Sequence, residues 1–161
     1  FVMSIRIYTD GSAKGNPGPG GYGIVLLSDE GHRKEVAKGF RKTTNNRMEL
    51  LSVAVALEML KAKPMDVVIF SDSKYVVDAV EKKWLFAWEK TFFNKKKNVD
   101  LWKRFLKVYR QHNVKFVWVK GHSNNLENER CDTLAVAAAE SSDSHSIDWG
   151  YENQFQNPTL L

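Results

Sequence analysis

Cysteine is nearly missing from this chain: Cys131 is the only one among 161 residues. A disulfide framework is thereby excluded, and the chain reads as a protein of a reducing, cytoplasmic compartment. No apolar run approaches the roughly 20 residues that a membrane-crossing helix requires, so no membrane partner is expected. The start has no charged stretch leading into an apolar one, and no signal peptide is expected there. Phe1 and Val2 read as additions ahead of a natural start at Met3, with a cut from a longer protein as the alternative. Internal repeats and signs of a second domain are also missing. A chain of this length suits one compact domain that buries most of its apolar surface without disulfides or a structural metal. Acidic residues are outnumbered, 19 against 24 lysines and arginines, leaving a net charge of +5. Such an excess favours polyanions through counterion release but says nothing of sequence or fold.

What is present is an ordered set of periodic segments. Residues 4–10 alternate polar and apolar side chains, the period of a half-buried strand. Residues 15–21 are a Gly/Pro turn region, followed by predicted strands over 22–27 and 32–40 whose short link implies an antiparallel hairpin. Thr44 or Asn45 can cap a helix running to about residue 61, before Pro64. The apolar run 67–70 predicts a strand covered on both faces. A helix follows over about 73–83. Between 98 and 112, Leu101, Trp102, Phe105, Val108 and Tyr109 recur at helical intervals. Residues 114–119 read as a strand and 127–140 as an alanine-rich helix. This order predicts an α/β protein with a five-stranded mixed sheet flanked by helices. Residues 1–141 form the expected catalytic domain. Residues 142–161 form a polar tail whose Trp149, Tyr151 and Phe155 leave both docking and disorder open.

Four acidic residues fall where sheet proteins place chemistry. Asp10 closes the first strand and Asp72 the buried one, and ligands gather outside the carboxyl ends of strands in open α/β sheets. Glu49 lies about one turn into the first helix and Asp132 near the start of the last. Converging carboxylates repel one another, and divalent metal removes the conflict, since hard Mg²⁺ takes oxygen ligands. Taken singly, each residue also suits a turn or a first-turn helix position favoured by the dipole. Gly18-Pro19-Gly20-Gly21-Tyr22-Gly23 satisfies the dinucleotide pattern G-x-G-x-x-G, but a β-prone segment follows it and not a helix, so that reading fails.

Seven segments then acquire a common meaning. They are Tyr8-Thr9-Asp10-Gly11-Ser12, the loop from Gly15-Asn16-Pro17 to Gly21, and Thr43-Thr44-Asn45-Asn46-Arg47-Met48-Glu49-Leu50. Next come Ser71-Asp72-Ser73-Lys74-Tyr75-Val76, Asn98-Val99-Asp100-Leu101-Trp102, Trp118-Val119-Lys120-Gly121-His122, and Asn128-Glu129-Arg130-Cys131-Asp132 with Leu134-Ala135. In this order, over about residues 3–140, they resemble the bacterial type-1 ribonuclease H family.

The resemblance implies a ribonuclease H-like fold. It implies that Asp10, Glu49, Asp72 and Asp132 hold two Mg²⁺ ions, with Mn²⁺ as a substitute, and that the enzyme hydrolyses the RNA strand of an RNA/DNA hybrid to 5′-phosphate and 3′-hydroxyl ends. His122 would carry a proton or aid product release. Gly11, Ser12 and Ser73 would border the substrate. Asn16, Asn45 and Asn46 would meet the hybrid's minor groove, with Glu49 sensing a 2′-hydroxyl. Tyr75 and Trp84 would line the groove for the DNA strand, and Thr44 and Asn98 would hold one of its phosphates. Lys95, Lys96 and Lys97, beside an aromatic run, suit stacking with phosphate attraction. The basic handle between Trp88 and Asn98 is shorter than the fuller family pattern. No obligatory protein partner is implied, and a monomer is expected. Two other readings are a DNA-cutting nuclease of the same fold, which would cut duplex DNA and spare hybrids, and a hybrid-binding module, which would hold substrate without cutting it.

Overall fold

The computed structural model describes residues 2–121 and 124–155. Strands β1 (Ser4–Ala13), β2 (Gly18–Ser28) and β3 (Arg33–Thr43) form an antiparallel meander. Strands β4 (Asp66–Ser71) and β5 (Asn113–Trp118) join the other side of β1 in parallel, giving the order β3-β2-β1-β4-β5. The five-stranded mixed sheet expected from the order of elements is the sheet observed. One change concerns its start: Gly20 and Gly21 pair with Ala13 and Ser12, so the glycine segment is largely strand and the turn narrows to residues 14–17.

Helices α1 (Asn45–Glu58), α2 (Lys74–Glu81), α3 (Trp84–Lys90) and α4 (Val99–Tyr109) pack on one face, over the main core. Thr44 caps α1, its hydroxyl accepting the Arg47 N–H at 3.2 Å, which decides between the two candidates. Wedged between the sheet and α4, α1 is buried nearly all round. By contrast α4 offers one stripe, with Leu101, Trp102, Phe105, Leu106 and Val108 buried. Fully burying side chains such as Phe105 and Ile69 contributes about 1.5–3 kcal/mol each.

The opposite face carries α5 (Leu126–Glu140), which lies over β1, β2 and β3. Its buried stripe is thin: Asn128, Cys131, Ala135 and Ala139. Because α5 seats on those strands, β4 is not fully covered on both faces. Val67 and Ile69 are buried toward α1, whereas Val68 and Phe70 are half-buried, Phe70 stacked on Tyr8 at 4.6 Å. The apolar run therefore overstated its cover. Residues 142–155 dock: the Ser146 N–H donates to the Gly39 carbonyl at 2.9 Å, and α6 (Trp149–Glu152) buries Tyr151.

Candidate active site

Register, more than sequence, assembles the acidic cluster. Parallel pairing of β1 with β4 ends at Thr9 opposite Ser71, so Asp10 and Asp72 emerge side by side just beyond it. Ser73 then caps α2, its hydroxyl accepting the Val76 N–H at 3.3 Å, and turns the chain away from the rim. Glu49 arrives from α1 because Gly11 has no side chain. A Cβ there would strike the Glu49 nitrogen and lie 2.8 Å from the Met48 Cβ, so any other residue would push α1 off the strand. Gly23 does the same for α5. It faces Asp10 across the β1–β2 pair, and a Cβ would lie 2.7 Å from the Leu134 Cβ. This close seat brings Asp132 to the rim beside Asp10.

Oxygens of Asp10, Glu49 and Asp72 lie within 4.8 Å of one another. With Asp132 they border a cavity of about 430 Å³. The Gly11 N–H donates to Asp10 Oδ1 at 2.9 Å. The Glu49 Oε1 atom is shut off from solvent without a hydrogen-bond partner. Burial, then the charges of Asp72 and Asp132, push the Asp10 pKa up to about 8. Burial, then Asp10 and Asp72, hold Glu49 well above the carboxylate range. Clustered, partly desolvated hard oxygens with an orphaned acceptor fit a divalent cation, which would neutralise the repulsion.

The sign of the pH dependence follows. A carboxyl raised from 3.8 when unfolded to about 8 when folded stabilises the metal-free protein fully below pH 3.8 and loses that contribution as pH rises through about 8. A divalent cation should therefore raise the melting temperature far more at pH 9 than at pH 5, read by melts with Mg²⁺ and with a chelator. Equal increments at the two pH values would count against a cation held by these carboxylates.

Other residues singled out in the sequence fall around this cavity. Gly11, Ser12, Asn45, Asn46, Ser73 and Tyr75 border it. Asn16, Thr44, Asn46, Lys96, Lys97 and Asn98 line a second concavity of about 760 Å³. Tyr75, Trp84, Lys95, Lys96 and Lys97 line a third of about 450 Å³. Asn45 Oδ1 accepts the Ala13 N–H at 2.6 Å and Asn16 Oδ1 the Asn45 N–H at 2.9 Å, so each amide presents its NH₂ as the remaining donor group. The Tyr75 hydroxyl accepts from Asn98 Nδ2 at 2.9 Å and Trp102 Nε1 at 3.1 Å, which pins the ring at the junction of two hollows. Of the aromatic run, Trp84 and Phe92 are exposed, while Phe86, Trp88 and Phe93 pack on the core. His122 lies outside the described residues.

Two residues of the site region carried no assignment in the sequence. Lys74 borders the cavity, its ammonium 4.7 Å from the Trp118 ring centroid, while Trp118 Nε1–H donates to the Asp72 carbonyl at 3.2 Å. Arg47 is buried beneath α1 and holds Asp100 and Asp148. An arginine flanked by the core positions Met48, Leu50 and Leu51 was the available signal.

Sheet order and acidic rim together define an α/β protein of the ribonuclease H-like class. The family model for RNase H matches residues 3–140, and the chain belongs to that family. It is 58% identical to the ribonuclease H of Desulforamulus reducens over 143 residues, 86% of this chain and 89% of that one. With the ribonuclease H of Shewanella amazonensis it shares 52% identity over 156 residues, 94% and 97% of the two chains. Among solved structures, LC9-RNase H1, described as a type 1 RNase H with the type 2 active-site motif, matches with a TM-score of 0.79 at 30% identity, covering 98% of this chain and 83% of that one. LC11-RNase H1, solved in complex with an RNA/DNA hybrid, matches with a TM-score of 0.65 at 28% identity, covering 87% and 99%.

Proposed function

We propose that this protein is an endonuclease that hydrolyses the RNA strand of RNA/DNA hybrids, without sequence preference, leaving 5′-phosphate and 3′-hydroxyl ends. The observation that carries this reading is the meeting of Asp10 and Asp72, at the ends of adjacent parallel strands, with Glu49 of α1, all within 4.8 Å. The relative solved with a bound hybrid supports the substrate.

Asp10, Glu49, Asp72 and Asp132 would hold the metal. When bound, Mg²⁺, or Mn²⁺ in its place, supplies positive charge against the scissile phosphate and acidity that readies a water for in-line attack. The chain's own residues position the substrate. The Asn16, Asn45 and Asn46 amides face a minor groove that displays 2′-hydroxyls and base edges, and Glu49 adjoins the same hydroxyl. Gly11, Ser12 and Ser73 would border the substrate. Tyr75 and Trp84 offer faces to the DNA strand, Thr44 and Asn98 border its phosphates, and Lys95, Lys96 and Lys97 attract the backbone. His122 would carry a proton or ease product release. Residues 1–141 would form the catalytic domain of a cytoplasmic monomer that needs no protein partner.

The deciding experiment offers labelled RNA/DNA hybrid, duplex DNA, duplex RNA and single-stranded RNA, each with Mg²⁺ and with chelator. Cleavage of the hybrid's RNA strand alone, and only with metal, is expected. Cleavage of duplex DNA with hybrids spared would move the activity to DNA. Hybrid binding that is equal with and without Mg²⁺, with no cleavage, would leave a binding module. Replacing Lys95, Lys96 and Lys97 with alanine should weaken hybrid binding and lower the salt slope by about 1 for each lysine that meets a phosphate. An unchanged slope would place the lysines away from the substrate.

A further inference from the structure

The family match ends at residue 140, yet the folded chain continues to Phe155. This last segment is anchored from below. The Asp148 carboxylate accepts from Arg47 Nε at 2.8 Å and Nη2 at 2.9 Å, from the Thr43 hydroxyl at 2.7 Å and from the Tyr151 N–H at 3.2 Å. Glu152 accepts both forks of Arg41, at 2.9 and 2.8 Å. Gly150 passes so close that a Cβ would lie 2.6 Å from Arg47 Nη2. A segment held this firmly presents its outer side in a defined place.

That place is the lining of the 760 Å³ concavity. Thr44, Asn46, Lys96, Lys97 and Asn98 line it together with Tyr151, Gln154 and Phe155 of this segment. Asn46 borders this hollow and the carboxylate cavity alike, so the two are neighbours. Phe155 is 64% exposed, its ring set edge-on against Tyr151 at 5.0 Å, and it adds little to the core. Two lysines sharing a hollow with an exposed aromatic ring and an amide suit a nucleic-acid strand, with phosphates drawn to the lysines and a sugar or base stacked on the ring.

We propose that residues 142–155 form the outer wall of the groove for the strand paired to the one being cut, with Gln154 and Phe155 touching it and Asp148, a positioning residue, holding the wall through Arg47. The proposal rests on the hybrid reading above. Stacking on Phe155 is uncharged, so it should add affinity without adding to the salt dependence, unlike the lysines that line the same hollow.

The test measures equilibrium binding of hybrids of several lengths in an Asp10→Asn background with Mg²⁺, where cleavage is suppressed. Phe155→Ala should raise the Kd of long hybrids about tenfold with an unchanged salt slope, lose its effect on hybrids too short to reach the wall, and be rescued by Phe155→Trp. Asp148→Asn should show the same defect, and the double variant should be no worse than the poorer single one, because both remove one wall. Should Asp148→Asn fail to fold, Phe155→Ala decides alone. A Kd unchanged within about twofold, in a parent that binds hybrid, would overturn the proposal and leave the hybrid reading standing. A parent that binds no hybrid would remove both.

Discussion

Asp10→Asn should lower the rate of hybrid cleavage by at least about a thousandfold while hybrid binding and fold persist. Loss of a mere outer partner of a metal ligand typically costs 10–100-fold, and Asp10 stands in the carboxylate trio itself. The amide keeps the shape of the side chain and the acceptor for the Gly11 N–H, so little else changes. The metal-free variant should also melt higher at pH 9 than the unmutated protein, because the carboxyl removed is the one that burial, Asp72 and Asp132 make costly to ionise. Single-turnover cleavage beside an exposed control, Asp29→Asn, reads the first effect, and paired melts read the second. Turnover within tenfold of the unmutated protein would take Asp10 out of the metal site.

Arg47→Met should cost about 3–5 kcal/mol of stability, the usual penalty for breaking a buried ion pair by removing one partner. For a domain of this size the melting temperature should fall by roughly 10 °C. Arg47 is 2% exposed and Asp148 7%, so the orphaned Asp148 carboxylate would keep the Thr43 hydroxyl and the Tyr151 N–H without a countercharge. Burial raises the Asp100 pKa, but the hydrogen bonds and charge of Arg47 outweigh it and hold the group below 3.8. A depressed carboxyl stabilises the fold above its unfolded pKa and loses that contribution as pH falls through its folded one. Arg47→Met should therefore flatten the acid limb of the stability curve below about pH 4. Arg47→Lys should recover only part, since an ammonium cannot fork to two carboxylates. Urea unfolding at pH 7 and pH 3 measures both effects. A loss below about 1 kcal/mol at pH 7 would show that the network adds little to stability.

Much of the fold was legible because its signals are local. Alternation in residues 4–10 marked β1, the three- and four-residue recurrence from Leu101 marked α4, and the element order required a mixed sheet. Legibility failed where packing intervened. The run from Val67 to Phe70 has the composition of a strand covered on both faces, but cover depends on where α5 lies, and α5 seats on β1, β2 and β3. Residues 18–21 have the composition of a turn, yet they are strand positions, and the missing Cβ of Gly21 lets α5 settle on the sheet. The tail's polar composition left docking open, because the partner of Asp148 is an arginine 101 residues earlier.

The site divides along the same line. By itself the sequence determined which side chains are available: carboxylates at strand ends and early helix turns, amides in the first loop, lysines beside aromatics. These follow from periods of two and 3.6 residues and from turn chemistry, all set within a few neighbours. Only the tertiary structure decided that Asp10, Glu49 and Asp72 meet, that Asp132 stands beside them, and that Phe155, Lys96 and Lys97 line one hollow. Distances between groups far apart in the chain are set by strand register and by how closely helices seat on Gly11 and Gly23. Those are properties of the packed sheet, and no local pattern encodes them.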